Sequence, residues 1–152
     1  MKKYALCYVE HEGSVLLIEK IKPEWQKGKI NLPGGSFEEG EYAGQCAARE
    51  LFEEANLLAF HVQDMGVILG EGWQVDVVRC VVKDVAGWIA KTEEPVFWLP
   101  IQDALRHPKL IPNLRVIVPL CNSGVRGWVL RDGEPDYDIH LKITLPCVLP
   151  ST

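Results

Sequence analysis

Arg49-Glu50-Leu51-Phe52-Glu53-Glu54 is the stretch on which the reading of this chain turns. Glu50, Glu53 and Glu54 stand at i, i+3 and i+4. On a helix, at about 100° of rotation per residue, they fall within one arc of roughly 100°. Like charges so placed repel, and they weaken a bare helix by roughly 0.2–0.5 kcal/mol per adjacent pair. A divalent cation turns that cost into a binding site. Hard oxygen donors in this number suit Mg²⁺ or Mn²⁺.

Working outward, the spacing predicts a helix over about residues 41–55. Ala48, Leu51, Phe52 and Ala55 form the side expected to face the core. Gly44 in its interior costs about 1 kcal/mol relative to Ala. Upstream runs Leu32-Pro33-Gly34-Gly35-Ser36-Phe37-Glu38-Glu39-Gly40-Glu41. Its glycine pair allows a tight turn and a close backbone approach, so the loop can set a carbonyl oxygen beside the carboxylates. Downstream, Asn56 occupies a helix end where left-handed geometry is wanted, and Asn is the next-best residue after Gly there.

Together these segments resemble the signature of the Nudix hydrolase family. That signature is Gly, five residues, Glu, seven residues, then Arg-Glu-apolar-any-Glu-Glu-any-Gly-apolar. Gly35, Glu41, Arg49, Glu50, Leu51, Glu53, Glu54 and Leu57 match at the family spacing, and Asn56 departs from it. The resemblance implies an α+β fold with a mixed β-sheet sandwiched between helices, in one domain over residues 1–152. It implies a Mg²⁺- (or Mn²⁺-) dependent hydrolase cleaving a diphosphate bond by attack of water on phosphorus. By the same resemblance Glu50 and Glu54 are the principal metal ligands, with Gly34 supplying a carbonyl. Glu53 is the base or a ligand on the side of the base. Gly35, Glu41 and Arg49 shape and orient the glutamates. Glu93 or Glu94 is a candidate further ligand or base. Ile30 stands where many members carry Trp just before the Pro-Gly-Gly turn.

The substrate implied is a small-molecule nucleoside diphosphate derivative. One branch is ADP-ribose, another sugar nucleotide or a dinucleoside polyphosphate; the other is a (d)NTP. No four-cysteine zinc ribbon supports NADH. Trp73 and Trp25, both near loops, are candidates to stack on a nucleobase. A rival of another class is a non-catalytic module that senses a nucleotide metabolite, although such modules are expected to have lost metal glutamates. Isomerisation of an isoprenoid diphosphate is a more distant rival, resting on Cys46 beside the carboxylates. Nudix domains often dimerise, so a homodimer is compatible with the resemblance.

Bulk properties fit this reading. The 152 residues suffice for one domain with a sizeable core, and 16 basic against 21 acidic residues argue against a general grip on nucleic acid. No stretch approaches the ~20 apolar residues of a membrane span, and the start carries no signal-peptide pattern. Cys7, Cys46, Cys80, Cys121 and Cys147 are scattered, as expected of buried free thiols in the cytoplasm. His11, His61, His107 and His140 show no metal-ligand spacing.

Elsewhere, residues 4–10 and 14–20 read as a hairpin about His11-Glu12-Gly13. Short strands are expected at 29–32, 59–69, 72–83 and 96–99, and helices at 101–106 and 113–121. Asn113 is the expected cap of the last helix and Pro119 a late kink or break. A final hairpin is expected across 127–131 and 137–143.

Overall fold

The computed structural model of the chain describes residues 1–131 and, by backbone alone, the strand His140–Ile143. Its first half contains β1 (Lys2–Tyr8), β2 (Glu10–His11), β3 (Ser14–Glu19), β4 (Ile30–Asn31), β5 (Gly34–Ser36) and α1 (Ala43–Ala55). The second half contains β6 (Ala59–Gly70), β7 (Trp73–Val82), β8 (Val96–Pro100), α2 (Ile101–Arg106), α3 (Leu114–Asn122), β9 (Trp128–Arg131) and β10 (His140–Ile143).

A six-stranded mixed sheet runs in the order β10-β9-β6-β7-β1-β5. β1 and β7 are parallel with Tyr8 beside Arg79, and β5 closes the edge antiparallel with Ala5 opposite Gly35. Alternation along β1 explains the layering. Ala5 and Cys7 join the core beneath α1, with Leu51, Ala55 and Val78. Leu6 and Tyr8 point to the other face, where Leu114, Ile117 and Val118 of α3 pack. The sheet is therefore covered by α1 on one side and by α2 and α3 on the other, as the sandwich expectation has it.

The first hairpin departs from expectation. β1 and β3 lie in different sheets, and only Glu10 and His11 turn back on Val15 and Ser14. The cause is burial on both faces: all four residues Val15–Ile18 are buried. Such a strand needs neighbours on both sides, and β3 takes β4 on one and β8 on the other.

Helix α1 starts two residues later than expected, after Tyr42, whose N–H donates to the Gln45 side chain. Of its expected core face Leu51 and Ala55 are buried, together with Gly44 and Ala47, whereas Ala48 is half-buried and Phe52 points out. Phe52 is exposed, with the Lys91 ammonium 4.1 Å from its ring centre. Gly44 has a packing reason: a Cβ there would come 2.7 Å from a Val62 methyl on β6. Asn56 ends the helix at φ 58°, ψ 31°, and its side chain donates to the Gly87 carbonyl at 2.9 Å.

Around α3, Asn113 makes no side-chain cap, and the helix continues through Pro119 to Asn122. The Pro119 carbonyl accepts from Ser123, so the last turn closes despite the missing N–H. The pair of strands at the chain's end forms, with Ile143 opposite Trp128. Its expected turn at 132–135, like Cys147, lies outside the described residues. The other four cysteines are free and buried. Among the described residues no helix is long and apolar enough to cross a membrane.

Candidate active site

The glycine pair is part of an edge strand, not a free loop. A Cβ at Gly34 would overlap the Ala5 carbonyl, so β5 lies against β1 only because the residue is glycine. A Cβ at Gly35 would overlap the Glu50 carboxylate. The strand thus makes room for the first of the helix's acids.

Four acids, two on the helix and two before it, meet at Arg49. Its Nε donates to Glu41 at 2.8 Å and one Nη to the same carboxylate at 3.0 Å, a bidentate grip. The other Nη donates to Glu50 at 2.9 Å and Glu53 at 3.2 Å, and lies 3.6 Å from Glu38. The Ser36 carbonyl accepts a further bond at 2.9 Å, tying β5 to the helix. The Arg49 guanidinium, helped by the Glu38 N–H, holds Glu41 down to about 2. In return Glu41, against the cost of burial and with Glu50 assisting, holds the guanidinium above its ordinary value.

Glu54 is of a different kind. It is the one buried charged side chain among the described residues, 7% exposed. One carboxylate oxygen accepts from the Gly34 N–H at 3.2 Å, and the other is buried with no partner. Burial, above all, and the neighbouring Glu50 carboxylate push Glu54 up to about 8, while Lys20 and the Gly34 N–H pull the other way. An orphaned oxygen on a buried acid beside a second carboxylate is a pair of hard donors of the kind that suits a divalent cation. Among the described residues there is no cluster of three acid, imidazole or thiol groups placed to hold a metal ion. Mg²⁺ does not require one, since it keeps several waters and takes one or two carboxylates with the substrate's phosphates. The donor set therefore fits such an ion. Glu53, by contrast, is 52% exposed at its side chain and pairs with Arg49 at 3.2 Å.

The other sequence candidates are placed as follows. Glu94 binds the Lys20 ammonium at 3.0 Å and the Ile21 N–H at 2.7 Å, and so straps down the loop after β3. Burial raises its pKa, but Ile21 and Lys20 outweigh that and the net shift is downward. Glu93 is exposed. Trp25 is 63% exposed on a short turn, with the Lys29 ammonium 5.7 Å from its ring centre. Its neighbour Gln26 accepts from Asn31 on β4, the strand leading to the glycine pair. Trp73 is half-buried at the β6–β7 hairpin and packs on Gly70. Cys46 is fully buried, its Sγ directed at the Gly35 carbonyl, and burial, with Glu41, pushes the thiol up to about 12. A thiol so buried is out of a substrate's reach, which removes the isomerase reading's acid.

Lys20 was missed in the sequence. Its charge acts on Glu54, and its ammonium pairs with Glu94. The available signal was a lysine just past the apolar run Val15–Ile18. Arg79 and Arg115 are committed elsewhere. Arg79 pairs with Glu10 at 2.6 Å and donates to the Cys121 carbonyl, and Arg115 donates to the Leu105 and His107 carbonyls.

Comparison with known proteins follows the same lines. The NUDIX domain family model matches residues 3–121. A NUDIX hydrolase from Nitrosomonas europaea is 22% identical, with 86% of this chain and 78% of that one covered and a TM-score of 0.68. The mutator MutT protein from Bacillus halodurans is 19% identical over 93% and 98% of the two chains, with a TM-score of 0.69. The E. coli ORF135 protein is 25% identical over 81% and 92%, with a TM-score of 0.60.

Proposed function

Because the chain belongs to the Nudix hydrolase family, we propose that it cleaves a diphosphate bond in a nucleoside diphosphate derivative, with Mg²⁺ or Mn²⁺ as cofactor. The observation that carries this reading is the orphaned, buried Glu54 oxygen beside Glu50, on a helix whose third acid remains open to solvent. Glu50 and Glu54 would hold the ion, and the carbonyl of Gly34 would be the additional donor that the family resemblance implies. A bound ion neutralises the substrate's phosphates and polarises phosphorus for attack.

The chain's own groups do the rest. Glu53, the most exposed of the three acids, takes the proton from the attacking water. The water oxygen bonds to phosphorus, the bridging P–O bond breaks, and the leaving phosphate departs with the electron pair. The products are a nucleoside monophosphate and a phosphorylated remainder, or pyrophosphate from a (d)NTP. Arg49 orients Glu50 and Glu53, and Glu41 holds Arg49 by both nitrogens. Glu94 acts on the loop after β3 and, through Lys20, on the charge around Glu54. Trp25, exposed beside the strand that leads to the glycine pair, is the better placed of the two tryptophans to stack on a base.

The test is product release over ADP-ribose, FAD, NADH, diadenosine polyphosphates and the (d)NTPs. It is run with Mg²⁺, with Mn²⁺ and with EDTA, beside Glu53→Gln. The proposal requires metal-dependent turnover of one substrate class that the variant loses. Nucleotide binding without turnover by the folded wild type would make the domain a metabolite-binding module instead.

A further inference from the structure

A second recess lies apart from the carboxylates, between the β2–β3 turn and the loop after β7. It is a cavity of about 230 Å³ walled by Trp88, Trp98, His11 and Val85, with Glu12 at its rim. Trp88 meets Trp98 edge-on at 6.5 Å, and His11 is tilted against the same Trp98 at 6.2 Å. Three rings therefore line one space at steep angles to each other instead of stacking flat. Both tryptophans are half-buried and backed by the core beneath α1, so the walls are fixed from behind.

The rim carries an unusual backbone. Glu12 and Gly13 form the two-residue turn between His11 and Ser14, with φ of 48° and 79°. Turns of this kind favour Asn-Gly or Gly-Gly, because a longer side chain is strained at positive φ. Glutamate at the first position is a poor choice for the turn alone. What it provides is an exposed carboxylate 3.8 Å from the His11 ring nitrogen, among the residues that line the recess. The turn is anchored, since Ile101 N–H donates to the Gly13 carbonyl at 3.0 Å. The opposite wall is anchored too, by Ile89 to the Ala55 carbonyl and by the Asn56 side chain to Gly87.

We propose that this recess is a binding site for a methylated ammonium group. Ring faces attract a diffuse cation through their quadrupoles, and aromatic boxes are a general solution for quaternary ammonium. The Glu12 carboxylate supplies the counter-charge at the mouth, and the rings supply apolar contact for the methyls. A strongly hydrated ammonium gains less, because it gives up more water on entry. The ligand chemistry is shared by a free choline-like molecule and by a trimethylated lysine side chain. This inference does not rest on the hydrolase reading, for none of its residues is assigned to the reaction.

The experiment follows the indole N–H signals of the five tryptophans during titration with choline, a trimethyl-lysine peptide and 3,3-dimethylbutanol, the neutral isostere of choline. The expected result is saturable movement of the Trp88 and Trp98 signals with the cations, while Trp25, Trp73 and Trp128 stay in place. The neutral isostere binds at least about tenfold more weakly. Glu12→Gln, a change at an exposed rim, weakens choline by several-fold with the fold intact, and Trp98→Phe keeps a wall but lowers affinity for the cation. Equal affinity for choline and the peptide identifies the headgroup alone as the ligand; tighter binding of the peptide identifies a protein partner. No movement at roughly 10 mM, equal binding of the neutral isostere, or an unchanged Glu12→Gln would overturn the proposal.

Discussion

Arg49 and Glu54 illustrate two opposite treatments of charge within one turn of helix. Arg49 is shared among acids, so its loss leaves like charges facing one another. Arg49→Lys keeps the charge but not the planar fork. It is expected to lower kcat by tenfold or more, on the order of 1.4 kcal/mol of transition-state stabilisation, with KM much less affected. Steady-state kinetics check this. Glu54 is kept near neutral in the metal-free protein, since its pKa of about 8 lies above the ordinary carboxylate value of 4.5. The sign follows directly. The folded state holds this proton more tightly than the unfolded state, so its contribution is full below pH 4.5 and is lost as pH rises to about 8. In EDTA, Glu54→Gln should therefore raise Tm at pH 8 and change it little at pH 4.5, by roughly 2–4 °C for each kcal/mol recovered. Thermal melts at both pH values check it, and an equal shift at both would contradict it.

At the level of elements, α1 is positioned by side chains that are missing from it and from its neighbours. Gly34 lets β5 lie on β1, Gly35 admits the Glu50 carboxylate, and Gly44 lets α1 approach β6. Gly44→Ala sets a helix-propensity gain of about 1 kcal/mol against contact with Val62, and overpacking typically costs about 1–3 kcal/mol. Net destabilisation is expected, relieved when Val62 is also made Ala; denaturant melts of the single and double variants decide it. Asn56→Ala should cost on the order of 1–2 kcal/mol, because it forces Ala into left-handed geometry and removes the bond to Gly87. The elements differed in how legible they were. Runs with one clear face or a clear turn, such as β6, β7 and α2, lie within a residue or two of expectation. The partners of β1 and β3 were not legible, because a strand buried on both faces shows no alternation to say which sheet it joins. The core face of α1 was misjudged in part, for a related reason. Its small residues Gly44 and Ala47 carry little hydrophobic signal, whereas Phe52 carries much and is exposed.

For the whole molecule, spacing alone revealed which acids share a helix face, but not how differently they are treated. That Glu54 is buried and Glu53 open depends on β5, Lys20 and the strap at Glu94, which are distant in sequence. The proposed function requires Glu50 and Glu54 to hold a divalent cation. Calorimetric titration of Mg²⁺ into the metal-free protein at pH 7, in buffers of different ionisation enthalpy, tests it most directly. Binding at a carboxylate with a pKa of about 8 should release close to one proton per ion. Both the binding and the proton release should disappear in Glu54→Gln, with the fold retained. Mg²⁺ binding of undiminished affinity in that variant, or binding without proton release in the wild type, would contradict the account.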